Sequence, residues 1–354
     1  MRLVCFVDRN IPSLAELLAP IAEIRLFDGR YISNAELIEC DALFTRSVTQ
    51  VNEKLLDGTS VKFVATATAG YDHIDRKYLK DKNIGFASAP GANSNSVAEY
   101  VMFALLYWAK YRRTELAGKR LGIVGYGAIG RKIARYARQF LQMEVWINDP
   151  PLQNAGFEFP QDFRYVELDE LCSNSHIISN HIPLISDGLY PTVNLFDEAV
   201  IDLLPQGNLF IHASRGGIVD EDAFVSRISS KKIDAVFDVF LNEPKVRQDI
   251  VLPSLLATPH IAGYSYEAKI LGARMCAEAF YRYLKIQFPQ PEFNFPGTNN
   301  TIAPSDIFSL LKLRRRLDED SVAFKETMKL SIGKRASAFD TLRRNYPVRH
   351  ETLR

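Results

Sequence analysis

Apolar and polar residues alternate along this chain in two rhythms. Short β-rich runs ("RLVCFVD", "IRLFDG", "ALFTRS", "KFVATATA") give way to stretches with helical spacing such as "IPSLAELLAP". That alternation predicts parallel sheets covered by helices, an α/β fold. Around residue 90 it pauses at "APGANSNS", whose Ser and Asn residues suit a helix start before the apolar run "VAEYVMFALLYWAK". The pause reads as a domain hinge. A second alternating series runs from Arg120 to about Thr258, and one long amphipathic helix follows in "YEAKILGARMCAEAFYRYLKIQ". The proline-rich "FPQPEFNFPGT" then breaks the chain before a tail from about residue 300, where "IFSLLKLRRRL" has the spacing of a packing helix with a solvated face.

Composition narrows the field. With 354 residues, 47% of them hydrophobic, the chain can build two or three compact units. Its 43 basic and 42 acidic side chains nearly cancel, so nothing global recruits nucleic acid, and an anionic ligand needs local basic groups. The basic residues of the tail are interleaved with acids, so no nucleic-acid partner is expected there either. Cys5, Cys40, Cys172 and Cys276 are scattered without metal spacing and read as reduced packing residues; no metal site is expected. The N-terminus reads as a strand, not a signal peptide, and the most apolar run contains Glu99 and is too short to span a bilayer. A cytoplasmic protein without a membrane partner is the expectation.

The stretch "RLGIVGYGAIGRKIARYARQF" carries G-x-G-x-x-G as Gly125, Gly127 and Gly130. Alone the pattern is weak. Here an apolar strand leads in, a helical stripe from Ile129 leads out, and a second strand ends in Asp149, 19 residues after Gly130. Gly125 suits a tight turn, Gly127 lets backbone approach a pyrophosphate, and Gly130 allows close helix–strand packing. Asp149 suits the adenosine ribose hydroxyls and repels a 2′-phosphate, which favours NAD over NADP. The expected cofactor is NAD, bound at Gly125, Gly127, Ala128, Ile129, Gly130 and Asp149.

Further along, Arg215, Glu243 and His260 fall after three successive predicted strands, 28 and 17 residues apart. Each alone reads as structural. Placed together beyond strand ends, after a dinucleotide fingerprint, they fit hydride transfer from a 2-hydroxy acid. His260 takes the hydroxyl proton, Glu243 fixes its tautomer, and Arg215 grips the carboxylate and polarises the developing carbonyl.

These motifs, "GIVGYGAIG", "HASRGGIVDED", "DVFLNEP" and "TPHIAG", resemble the D-isomer-specific 2-hydroxyacid dehydrogenases in order and over nearly the whole chain. "FVATATAGYDHID", "TPHIAGYSYEAK" and "FDTLRRNY" are most similar to a branch that oxidises a phosphorylated hydroxy acid in bacterial vitamin B6 synthesis. The resemblance implies a Rossmann-type doubly wound NAD domain (97–258), a discontinuous flavodoxin-like catalytic domain (1–96 and 259–285) and a small C-terminal dimerisation domain (286–354), hence a homodimer. It places Ile182, Ala213, Ser214, Arg215, Asp238 and Gly263 at NAD, and Ser47, Thr68 and Tyr264 at the substrate. Where the branch carries a threonine, "HIPL" has Ile182, and a hydroxyl contact to the cofactor is lost. The tail ends sooner than the resemblance leads one to expect. A phosphorylated substrate needs a donor away from the reacting carbon; Arg46 beside Ser47 is the candidate, with Arg343 or Arg344 across a dimer as another. Two alternatives stay open: a phosphoglycerate- or glycerate-type dehydrogenase, and a non-enzymatic NAD-sensing scaffold of the kind built on this fold.

Overall fold

In the computed structural model, which describes residues 2–231, 233–291 and 306–353, the alternation folds into two parallel sheets. The first holds β1 (Leu3–Asp8), β2 (Ala22–Phe27), β3 (Ala42–Thr45), β4 (Phe63–Thr66) and β5 (Gly85–Ala87), in the order 2-1-3-4-5. That is the flavodoxin-like order. Side chains alternate across it, as the two-residue period of a strand requires. Cys5, Val7, Phe44 and Phe63 pack under the helix Tyr266–Tyr283, with Phe280 edge-on to Phe44 at 5.4 Å. Phe6, Leu43 and Val64 face the other way, onto Leu37, Leu55 and Leu79. β5 went unread in the sequence because three residues carry too little pattern.

The second sheet runs β6 (Arg120–Val124), β7 (Glu144–Asn148), β8 (Phe163–Tyr165), β9 (Ile177–Asn180), β10 (Leu209–His212), β11 (Asp234–Phe237) and β12 (Leu256–Ala257), in the order 12-11-10-9-6-7-8. Every pairing is parallel. Counted from β6 this is the Rossmann order with one added edge strand, and the direction of winding reverses between β6 and β9.

The chain divides into two units, residues 2–93 with 264–291, and 94–263 with 306–353. It passes between them at Asn93/Ser94 and at Gly263/Tyr264, a few residues from the boundaries read at 96 and 258. The tail, expected as a third domain, clusters in its described part with the second unit. Its helices Ile307–Arg315, Leu317–Thr327 and Ile332–Arg344 are pinned there by aromatic contacts. Phe308 lies 5.6 Å from Phe103, and Phe240, Phe324 and Phe339 form a ladder with steps of 5.7 Å. The proline-rich break beyond residue 291 lies outside the described residues. All four cysteines are buried and unpaired, with burial the main force pushing their thiols up to about 12, which fits packing residues. Among the described residues no helix is long and apolar enough to cross a membrane, and no cluster of His, Cys, Asp and Glu has a metal-binding arrangement.

Candidate active site

The glycine loop sits at the winding reversal of the second sheet. Gly125 has φ +94°, a conformation open to glycine, and its N–H donates to Asn148 O at 2.8 Å. A Cβ on Gly125 would lie 2.8 Å from Ile182 Cγ2 and 2.9 Å from His181 O, so the loops after β6 and β9 touch there. A Cβ on Gly130 would lie 2.1 Å from Gly125 O, which leaves glycine as the residue that fits. On Gly127 a Cβ would meet nothing within 4 Å, so the backbone before the helix Ala128–Leu141 is open to close approach. Ala128 and Ile129 form the first turn of that helix, where unpaired N–H groups and the dipole favour an anion. Asp149 follows β7; one carboxylate oxygen accepts Tyr126 N–H at 2.8 Å and the other accepts Leu152 N–H at 3.1 Å. The acid is thus fixed against the glycine loop. These features fit a dinucleotide: the open backbone at Gly127 and the helix start would hold its pyrophosphate, and Asp149 its ribose hydroxyls.

Three adjacent strand ends carry the proton-transfer candidates. Arg215 follows β10, where Ala213 and Ser214 are buried and the Arg215 guanidinium donates to Ser214 O at 2.7 Å. A Cβ on Gly216 would lie 2.0 Å from Phe240 O, so the Arg215 turn is pressed onto the loop that carries Glu243. His260 Nδ1 lies 2.8 Å from Glu243 Oε2, and Glu243 Oε1 accepts Phe240 N–H at 2.9 Å. Both side chains are part-covered, His260 at 33% and Glu243 at 18% exposure. Burial pushes the Glu243 carboxyl up, but His260, its hydrogen bond and Arg343 of the tail bring it below the usual carboxylate range. An ionised Glu243 can only accept, so Nδ1 carries the proton and Nε2 is left as the acceptor.

His260 adopts φ +55°, a left-handed conformation that non-glycine residues rarely take without support. The support is Asp238, at the end of β11. His260 N–H donates to Asp238 O at 2.7 Å, and the Asp238 carboxylate accepts Ile261 and Ala262 N–H at 2.8 and 2.9 Å. It also accepts Thr258 Oγ1–H at 2.6 Å. Asp238, expected at the cofactor, is buried and has both carboxylate oxygens engaged in this loop; Gly263 ends the same loop. Behind it His181 and His212 are held neutral, each lowered to about 3, first by burial. Asn180 Nδ2 lies 2.9 Å from His212 Nδ1, which ties β9 to β10 under the Arg215 turn.

Arg46, Ser47, Thr68 and Tyr264 belong to the first unit. Arg46 follows β3 and pairs with buried Asp8, at the end of β1, at 3.1 Å. Thr68 follows β4; its hydroxyl donates to Gly70 O at 2.7 Å and meets Thr66 Oγ1 at 2.8 Å. Ser47 is exposed. Tyr264 stands before the helix Tyr266–Tyr283, whose Lys269 ammonium is 5.5 Å from the Tyr264 ring centre. Desolvation and then the Arg46 guanidinium pull that ammonium below lysine's ordinary value. Lys269 was missed in the sequence although it lies inside the quoted "GYSYEAK". A lysine lowered by burial beside a second cation is an arrangement that a multiply charged anion relieves.

Known proteins bear on this site in two ways. Residues 102–262 match the profile described as D-isomer specific 2-hydroxyacid dehydrogenase, NAD binding domain. Erythronate-4-phosphate dehydrogenase of Marinobacter nauticus is 38% identical over 97% of this chain and 91% of its own length. The chain belongs to the D-isomer specific 2-hydroxyacid dehydrogenase family. The erythronate-4-phosphate dehydrogenase of Proteus mirabilis is 34% identical over 98% of this chain and 92% of its own length. Among solved structures, NAD+-bound 3-phosphoglycerate dehydrogenase of Entamoeba histolytica shares the fold at TM-score 0.68 and 22% identity, covering 83% of this chain and all of its own. D-lactate dehydrogenase of Aquifex aeolicus, complexed with NAD and lactic acid, does so at TM-score 0.67 and 24% identity, covering 80% and 95%. This dehydrogenase's NAD-binding domain contains the glycine loop, Asp149, Arg215, Glu243 and His260.

Proposed function

We propose that this dehydrogenase oxidises the C2 hydroxyl of 4-phospho-D-erythronate to (R)-3-hydroxy-2-oxo-4-phosphonooxybutanoate, a step of pyridoxine 5′-phosphate formation. NAD, when bound, supplies the hydride acceptor. The protein's own part is to hold the acid and move one proton. Nε2 of His260 takes the hydroxyl proton, and Glu243, at Nδ1, stabilises the imidazolium that results. Arg215 holds the C1 carboxylate and polarises the forming C2 carbonyl. Arg46 and Lys269, with Ser47, Thr68 and Tyr264, take the phosphate end. The observation that carries the reading is the 2.8 Å pair of His260 with a Glu243 held ionised. The two similar enzymes named above supply the substrate.

A homodimer in the cytoplasm belongs to the same reading, supported by exposed apolar Leu313, Val322, Ile332 and Val348 on the tail. The test is a substrate panel with NAD. Production of NADH from 4-phosphoerythronate, weaker from 3-phosphoglycerate and glycerate, and abolished in His260→Ala, is the expected result. NADH binding without turnover of any 2-hydroxy acid would overturn it in favour of a sensing scaffold.

A further inference from the structure

The tail run "KLRRR" places three arginines in a row, and one of them is inside the protein. Ile307, Leu311 and Arg315 follow a four-residue spacing on one helix face, and all three are 0% exposed. A guanidinium has five N–H donors and no acceptor, so it must be surrounded by oxygens to be buried. Nη2 donates to Ser96 O at 2.8 Å, to Ser96 Oγ at 2.9 Å and to Glu99 Oε2 at 3.3 Å. Ser96 and Glu99 are also 0% exposed. The other oxygen of Glu99 accepts the backbone N–H groups of Thr352 and Leu353. Asn95 Nδ2 donates to Glu351 Oε2 at 2.9 Å and to Leu353 O at 2.5 Å. Three segments therefore meet in one buried polar cluster: the start of the helix Ser94–Arg112, the tail helix and residues 351–353.

Two donors join this cluster to the His260 loop at one carbonyl: Arg315 Nη1, at 3.5 Å from Ala262 O, and, closer, the Ser96 hydroxyl. Ser96 Oγ owns a single proton, and Arg315 can only donate to it. That proton is therefore directed onto Ala262 O, 2.8 Å away. Ala262 stands two residues after His260, and its N–H and that of Ile261 are already held by Asp238. The backbone leaving His260 is thus fixed at its N–H groups by Asp238 and at its carbonyl by Ser96. Stability alone does not account for such an arrangement. Desolvating two charges carries a cost that their attraction only roughly repays, and an apolar pair of similar volume packs as well. An apolar pair cannot orient the Ser96 hydroxyl.

We propose that Arg315 is a positioning residue for His260, holding the Ala262 carbonyl through Ser96 and so keeping the imidazole on Glu243. The proposal rests on the proton-transfer role given to His260 above. Two variants of the full chain test it. Ser96→Ala removes the short hydroxyl contact to Ala262 O, leaving the 3.5 Å one from Arg315 and the Arg315–Glu99 pair in place; Arg315→Met combined with Glu99→Met removes the pair without stranding a charge. Steady-state turnover of 4-phosphoerythronate is measured beside an ¹⁵N NMR titration of the His260 ring, assigned through His260→Asn. In both variants kcat should fall about tenfold while the KM for NAD moves less than about twofold. The His260 titration should shift downward as Glu243 loosens its hold. Folded Ser96→Ala with wild-type kcat and a superimposable titration would overturn the proposal, whatever the double variant does. If the wild type turns over no hydroxy acid, the functional reading falls, and the titration still decides the positioning role.

Discussion

Both units place their candidate chemistry beyond the carboxyl ends of a parallel sheet, yet they equip those ends differently. In the first, the loops after β1, β3 and β4 carry cations and hydroxyls, with buried Asp8 balancing Arg46. In the second, the loops after β6, β7, β11 and β12 are tied down by backbone hydrogen bonds to Asp149 and Asp238, and a His–Glu pair stands among them. The lesson is a division of work. Gripping an anion needs positive charge with modest geometric precision, since phosphate oxygens accept from many directions. Moving a proton needs one nitrogen at one place, and the second unit spends a buried Asp238, a half-buried Glu243 and a left-handed residue on that single position.

The comparison can be broken at its strongest point first. His260→Ala should lower kcat about 10³-fold, within the usual range for a lost general base, with the KM for 4-phosphoerythronate nearly unchanged. Initial rates of NADH formation measure it. Glu243→Gln, which keeps the shape but no longer favours the imidazolium, should cost about 10²-fold in kcat and move the acid limb of the rate profile. A Glu243→Gln enzyme with the wild-type profile would remove Glu243 from the account.

A smaller effect sharpens the other side. Lys269→Met should raise the KM for 4-phosphoerythronate about tenfold and leave erythronate turnover close to wild type, as expected for a lost charge-assisted contact. Smaller still is a pH effect confined to the second unit. His212 is buried and lowered to about 3, first by burial, so between pH 6.5 and 3 the unfolded chain binds the extra proton and stability is lost as pH falls. Glu99, raised to about 7 by burial, and Glu221 and Asp320, raised to about 6 by burial, slope the other way, losing stability as pH rises. The difference between proteins isolates the histidine. Relative to wild type, His212→Asn should gain up to about 1.4 kcal/mol per pH unit on acidification below 6.5, read by urea unfolding at several pH values.

Much of this was legible in the sequence, for identifiable reasons. Alternating rhythms gave the two sheets, because a parallel strand is apolar and short while its covering helix is amphipathic. The glycine fingerprint and the Arg215, Glu243 and His260 positions were readable because strand ends in an open α/β sheet are where ligands sit. Asp238 was read as a cofactor contact; the structure shows its carboxylate engaged by Thr258, Ile261 and Ala262, a set of long-range pairings no local pattern displays. Arg315 was not singled out within "IFSLLKLRRRL", which was read as a packing helix with a solvated face. The signal that would have found it was present, since Arg315 continues the Ile307 and Leu311 stripe and Glu99 is a lone acid in an apolar run. Each looked like an exception alone; only the fold shows that they answer one another.

The most direct measurement of the division of work is the ratio of kcat/KM for 4-phosphoerythronate to that for erythronate, taken in wild type, Arg46→Gln and His260→Ala. Glutamine leaves a donor for Asp8 while removing the charge. The ratio should collapse toward one in Arg46→Gln and stay at the wild-type value in His260→Ala, where both rates fall together. An unchanged ratio in Arg46→Gln, or a changed one in His260→Ala, would contradict the account.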